Sequence, residues 1–418
     1  MRGHRLRRTG LACASAALLC LGAACSDSSG AAPNHIAALA DNVAEVTVDP
    51  GLPLIGYVNG LFATVTVCVP GTSDCQSIDH VLVDTGSSGL RLLGSELTIA
   101  LPAWTDDSSG LPLAECTQFV DSYIWGSLRS ADIKIAGEQA SNLAVQVVDE
   151  STYPVPNDCT GKSADTAKDL GANGIVGVGT LVQDCGAACA ASLSSGNPGL
   201  YYTCASASTG GCQAAAVPTA KQVSNPVAFF TQDNNGTIIE LPAVPAAGAP
   251  SVTGSLVFGI GTRDNNVLAG AKVIRLDEYG TFLTQYPTPN GRYAMSFVDS
   301  GSNGIYFLDS STTRIPACRG QLSSFYCPAS EMNLSAKGQD VNGVVTVKVN
   351  FSIANPGILL TNSTISALDN LGGPSISPSS GDIGMYFDWG LPFYFGRNVF
   401  TAITGQSTPG GIGPFVAF

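Results

Sequence analysis

Charge is scarce in this chain. Asp, Glu, Lys and Arg make up 12% of 418 residues, and 19 bases face 32 acids, for a formal net charge of −13. That balance argues against a basic face for nucleic acid. Histidine is scarcer still, with only His4, His35 and His80. His4 lies in an apolar leader, His35 in a stretch of small residues, and His80 reads as an ordinary strand-edge residue. Neither H-E-x-x-H nor G-x-S-x-G occurs, so zinc and serine hydrolases lack their working parts. Beyond the leader, no apolar run is long enough to span a bilayer.

Turn formers take the place of charge. The 48 Gly and 24 Pro fit a β protein better than a helical bundle. The length suits two cores. From Gly51 apolar residues alternate, through Tyr57-Val58 and then Phe62–Val67. The chain turns at Val69–Thr72 and returns through His80–Asp84, which predicts a hairpin. Further strands are expected at Tyr123–Leu128, Leu143–Val148, Gly174–Gly179, Gly254–Gly261, Tyr293–Val298, Val344–Asn350 and Phe415–Phe418. A short helix is expected over Asn362–Leu371, with polar caps before it and Gly372 behind. Residues 180–222 hold four Cys and little periodicity. They read as a stapled surface insertion.

The first 24 residues read as an export signal, with Arg2, Arg5, Arg7 and Arg8 ahead of the apolar Leu11–Leu21. Leu21-Gly22-Ala23-Ala24-Cys25 resembles a bacterial lipobox, which would make Cys25 the lipidated residue. On that reading residues 25–50 are a flexible tether. The protein is then a lipoprotein on the bacterial cell envelope, at the outer membrane as Ser26 suggests, and touches the membrane through its lipid. Of 13 Cys, ten remain after Cys13, Cys20 and Cys25 are set aside. An even number in an oxidising compartment predicts five disulfides. Cys68/Cys75, Cys204/Cys212 and Cys318/Cys327 look like local staples. Cys116, Cys159, Cys185 and Cys189 leave three pairings open. A metal at Cys185-x-x-x-Cys189 is disfavoured because no His lies near it, and no metal or cofactor is expected.

One pattern occurs twice. His80–Arg91 reads HVLVDTGSSGLR, and Ser296–Tyr306 reads SFVDSGSNGIY. Aligned on the acid, LVDTGSSGLR and FVDSGSNGIY share five of ten positions. In each copy an apolar strand delivers one carboxylate into a turn of small hydroxylic residues, rich in hydrogen-bond donors. Downstream of each copy comes an apolar run closed by Gly, first Ile175-Val176-Gly177 and then Phe393-Tyr394-Phe395-Gly396. The order is the same in both halves, as in an internal duplication. Two such lobes can bring Asp84 and Asp299 together at their seam. Repulsion then lets the pair share one proton, so that one acid activates water and the other polarises a carbonyl.

These motifs resemble the pepsin-like aspartic endopeptidases, over roughly residues 51–418. The resemblance implies an all-β, two-lobed fold with a cleft between pseudo-two-fold-related lobes. It implies an N-terminal lobe at 51–225, interlobe strands at 226–272 and a C-terminal lobe at 273–418. Asp84 and Asp299 would be the catalytic acids. Thr85 and Ser300 would bond across the seam, in turns completed by Gly86 and Gly301, and Ser87 and Ser302 would hold the outer carboxylate oxygens. For the flap the nearest match is Trp125-Gly126, with Tyr123 two residues earlier. Arg91 stands where the family places a Trp, and residues 26–50 lack the family's basic pro-segment. The implied partner is an extended peptide or protein substrate, and the chain is expected to be a monomer. The alternative is a catalytically inactive binding lipoprotein on the same fold.

Overall fold

The computed structural model describes residues 34–53, 56–119, 122–149, 151–205, 211–288, 291–375 and 386–418. Residues 1–24, expected to be an export signal, and Cys25, the expected lipid site, lie outside the described residues. Strands Gly60–Cys68 and Cys75–Asp84 pair antiparallel as a hairpin, clamped at its open turn by Cys68–Cys75. Val81, Val83, Val65 and Val67 are buried, as β-branched side chains on a covered sheet should be. Strand Gly174–Val178 lies parallel to Cys75–Asp84 and antiparallel to Ser88–Leu93, with Asp84 level with Gly177. The chain leaves one strand at Asp84, turns, and re-enters the sheet on the far side of Gly174–Val178.

The second half repeats this wiring. Strand Arg292–Val298 runs parallel to Tyr386–Trp389, which pairs antiparallel with Ile305–Phe307. Val298 is level with Trp389, so the counterpart of Gly177 is Gly390. The expected match at Phe393–Gly396 is therefore corrected by one element, since Leu391–Phe393 forms a 3-10 turn. Both glycines are required by space: a Cβ on Gly177 would lie 2.5 Å from the Ser88 nitrogen, and one on Gly390 2.1 Å from the Gly304 oxygen.

Six strands join the halves. Val43–Asp49, Val252–Phe258, Gly236–Leu241, Arg397–Ala402, Phe415–Ala417 and Val273–Arg275 follow one another in a single sheet. The tether expected up to residue 50 is thus corrected from residue 34 onward. Ala37 is buried, its N–H reaches Glu240 Oε2 at 2.6 Å, and Val43–Asp49 pairs with two neighbours. The last strands also belong to this joining sheet rather than to the seven-stranded sheet of the C-terminal lobe. That lobe closes on stacked aromatics, with Phe387 and Trp389 at 4.4 Å and Phe307 and Phe387 at 5.0 Å between centroids.

The helix expected at Asn362–Leu371 is absent. The helical turn is Pro356–Leu359, capped by the Asn355 side chain. Residues 362–371 instead run through turns around one β-bridge, where Ala367 meets Ala249 and Asn59 Oδ1 accepts from the Leu368 N–H at 2.8 Å. Tertiary contacts override the local caps there. The five disulfides are Cys68–Cys75, Cys116–Cys159, Cys185–Cys189, Cys204–Cys212 and Cys318–Cys327. Among the described residues no helix is long and apolar enough to cross a membrane.

Candidate active site

Asp84 ends its strand with both carboxylate oxygens engaged by its own turn. Oδ1 accepts the Gly86 N–H at 2.7 Å, and Oδ2 accepts the Ser87 hydroxyl. Asp299 is held alike, by the Gly301 N–H at 2.8 Å and the Ser302 hydroxyl at 2.8 Å. The turns meet across the seam through reciprocal bonds: Thr85 N–H to Ser300 Oγ at 3.1 Å and Ser300 N–H to Thr85 Oγ1 at 3.0 Å. Each hydroxyl also donates to the opposite strand, Thr85 to Val298 O at 3.2 Å and Ser300 to Val83 O at 2.7 Å. Tyr394 adds its hydroxyl 2.8 Å from Thr85 Oγ1.

This lattice presses the acids together. The Asp84 and Asp299 carboxyls face each other, each packed against the other's turn glycine. A Cβ on Gly86 would lie 2.8 Å from Asp299 Cγ, and one on Gly301 2.8 Å from Asp84 Cγ. Burial, and then the adjacent Asp84 charge, raise the Asp299 pKa to about 8. The pair therefore retains a shared proton through mildly acidic and neutral pH.

The acids floor a cleft of about 420 Å³ with walls from both lobes. Thr117, Gln118 and Phe119, at the tip of the hairpin formed by Leu113–Gln118 and Ser122–Ile135, line it. Trp125 and Tyr123, the residues expected over the cleft, are not among its lining. Trp125 is buried in another cluster, its indole N–H donating to Tyr153 O at 2.9 Å and its ring edge-on to Tyr202. Tyr123 is buried in the same cluster. Both project to the face that the Cys116–Cys159 staple and the 180–222 segment cover. Phe119 carries no hydroxyl or indole to mark it, so nothing in its type pointed to this place.

The 180–222 segment is more than a surface loop. Its strand Tyr201–Cys204 pairs with Leu113–Gln118 and with Cys212–Ala214, extending the hairpin to four strands. Arg91 is the hub beneath. It is 1% exposed, donating to Ser88 O at 2.7 Å and Thr117 Oγ1 at 3.1 Å, and meeting Asp184 at 2.8 Å and Glu115 at 3.4 Å. Two carboxyls beside one guanidinium leave a surplus charge. Burial, and then Glu115, raise the Asp184 pKa well above normal, so this pair too retains a proton. His80 lies outside the cleft lining, 3.6 Å from Asp49. A third carboxyl, Asp388, also faces the cleft beside Asp299. Its only sequence signal is an acid interrupting the aromatic run Tyr386-Phe387-Asp388-Trp389.

Two lobes, each giving one acid turn to a common cleft, define the bilobal fold of the aspartic proteinases. The crystal structure of an aspartic proteinase from Irpex lacteus superposes with a TM-score of 0.50 at 14% identity, covering 90% of this chain and 96% of that one. The chain belongs to the family described as Protein of unknown function (DUF3443), whose model matches residues 38–418. No curated protein matches the sequence.

Proposed function

We propose that this protein is an aspartic-type endopeptidase that binds an extended peptide in the interlobe cleft and hydrolyses it with water. One observation carries the reading: Asp84 and Asp299 meet as a carboxyl pair on matched turns at the cleft floor. The pair holds one proton. Its ionised member takes a proton from a water held between the two acids. Its protonated member hydrogen-bonds the scissile carbonyl, lowering the cost of the tetrahedral oxyanion, and the proton taken from water then passes to the leaving nitrogen. Gly86 and Gly301 N–H, with the Ser87 and Ser302 hydroxyls, hold each carboxylate by both oxygens for this transfer.

We also propose that the protein acts as a monomer, lipidated at Cys25 and held to the bacterial cell envelope. The lipobox-like sequence and the five disulfides support an oxidising location. Cleavage of an unstructured protein such as casein, followed from about pH 3 to about pH 8, tests the catalytic reading. Asp84→Asn and Asp299→Asn are each expected to lower kcat by about 10³-fold or more while leaving the fold intact. Cleavage that survives either change, or none by the wild-type chain at any pH, rules it out and favours a binding protein on this fold. Incorporation of labelled fatty acid, abolished by Cys25→Ala, tests the anchor.

A further inference from the structure

Asp388 stands on the cleft face of strand Tyr386–Trp389, while its neighbours Phe387 and Trp389 fill the C-terminal core. Its Oδ1 is buried without a hydrogen-bond partner. Ser302 lies within bonding reach, but its one hydroxyl proton goes to Asp299 Oδ2 at 2.8 Å. Among the described residues no cation pairs with this acid. The one base lining the cleft among the described residues is Arg91, and its guanidinium is taken up by Ser88, Thr117, Glu115 and Asp184. The remaining walls of that side mix apolar Leu276, Phe297, Val298 and Val416 with the hydroxyl-bearing Tyr279, Thr281 and Thr401.

We infer that Asp388 is a specificity-determining residue that takes a lysine or arginine side chain of the peptide on the Asp299 side of the cleft. The inference rests on reading the cleft as a peptide site. The chemistry is complementary: the aliphatic stem of such a side chain covers the apolar walls, and its charged head reaches the unanswered carboxyl. An apolar side chain placed there would seal an unpartnered acid away from water, which is costly. In the empty cleft, burial and then the neighbouring Asp299 raise the Asp388 pKa well above the usual carboxylate range, which favours its protonated form. An arriving ammonium or guanidinium replaces that proton, which leaves to the solvent, so the bound pair is neutral.

The test uses non-hydrolysable peptides built on one reduced-amide isostere, with lysine or norleucine at each position flanking it. Binding is measured by titration calorimetry in buffers of different ionisation enthalpy. At one flanking position, the lysine peptide is expected to bind wild-type protein about tenfold or more tightly than the norleucine peptide. Its binding should release about one proton. Asp388→Leu should abolish both the preference and the proton release. Equal binding of the two peptides, or a lysine preference unchanged in Asp388→Leu, overturns the inference and leaves Asp388 as a partner of Ser302 only. Should Asp388→Leu fail to fold, Asp388→Asn serves in its place, and the wild-type preference and proton release decide by themselves. Casein fragments are sequenced in parallel. Cleavage without basic residues beside the cut overturns this inference alone. Absence of cleavage overturns the acid-pair reading, while the calorimetry still decides the lysine preference.

Discussion

Ser300 gives its hydroxyl to Val83 O and receives the Thr85 N–H, both buried. Ser300→Ala orphans both groups, and is expected to cost about 2 kcal/mol in denaturant unfolding. Ser300→Thr, which keeps the hydroxyl, should cost less. Gly86→Ala places a methyl 2.8 Å from Asp299 Cγ, forcing the carboxyls apart. Cleavage should fall by about 10²-fold, read in kcat rather than KM. Arg91→Met strands Glu115 and Asp184 in the interior without their counter-charge, at about 3–5 kcal/mol by denaturant unfolding. Adding Glu115→Gln should return part of that loss, because one buried carboxylate then disappears. At this scale the acids and their hydroxyl neighbours were legible, since the chain spells the turn twice. Asp388 and Phe119 were not: each reaches the cleft through strand parity and hairpin length, which a single line of residues does not display.

The hairpin over the cleft is the element where sequence and structure diverge most. A two-stranded hairpin is marginal by itself. Here Tyr201–Cys204 and Cys212–Ala214 widen it, Cys116–Cys159 ties its first strand down, and the Tyr201 hydroxyl anchors it to Asp184 at 2.6 Å. Removing the disulfide with Cys116→Ala and Cys159→Ala should raise amide hydrogen exchange across Leu113–Gln118 by about tenfold or more, while exchange in Val252–Phe258 stays unchanged. Equal change in both strands would mean that the staple supports the whole fold instead. Local signals misled at two other elements. The polar caps around Asn362–Leu371 suggested a helix, yet the bridge from Ala367 to Ala249 and the Leu368 N–H bond to Asn59 Oδ1 hold that stretch in turns instead. The Gly matching Gly177 was sought at Gly396, because an apolar run followed by Gly occurs on both sides of Leu391. Strand register alone selects Gly390.

Across the whole molecule, several acids keep their protons by burial. Asp299 is raised from 3.8 to about 8, chiefly by burial and then by Asp84. Glu138 is raised from 4.5 to about 7 by burial and then by Asp233, and Glu240 from 4.5 to about 7 by burial. A carboxyl with a raised pKa binds its proton more tightly folded than unfolded. The stability it adds is complete below its unfolded value and is lost as pH rises through its folded value. Thermal unfolding followed by circular dichroism should show Tm falling by about 5 °C or more between pH 5 and pH 9. A Tm that rises over this range would contradict the assignment. Loss of the shared proton above about pH 8 should end cleavage on the same alkaline side. Sequence alone determined the β class, the duplication and the two acid turns, because strand alternation, glycine turns and repeated residues are local properties of the chain. Only the tertiary structure decided which glycine faces which acid, that Val43–Asp49 enters the joining sheet, and that a third carboxyl lines the same cleft as the pair. Those are contacts between strands far apart in the chain, set by register and packing that no local pattern encodes.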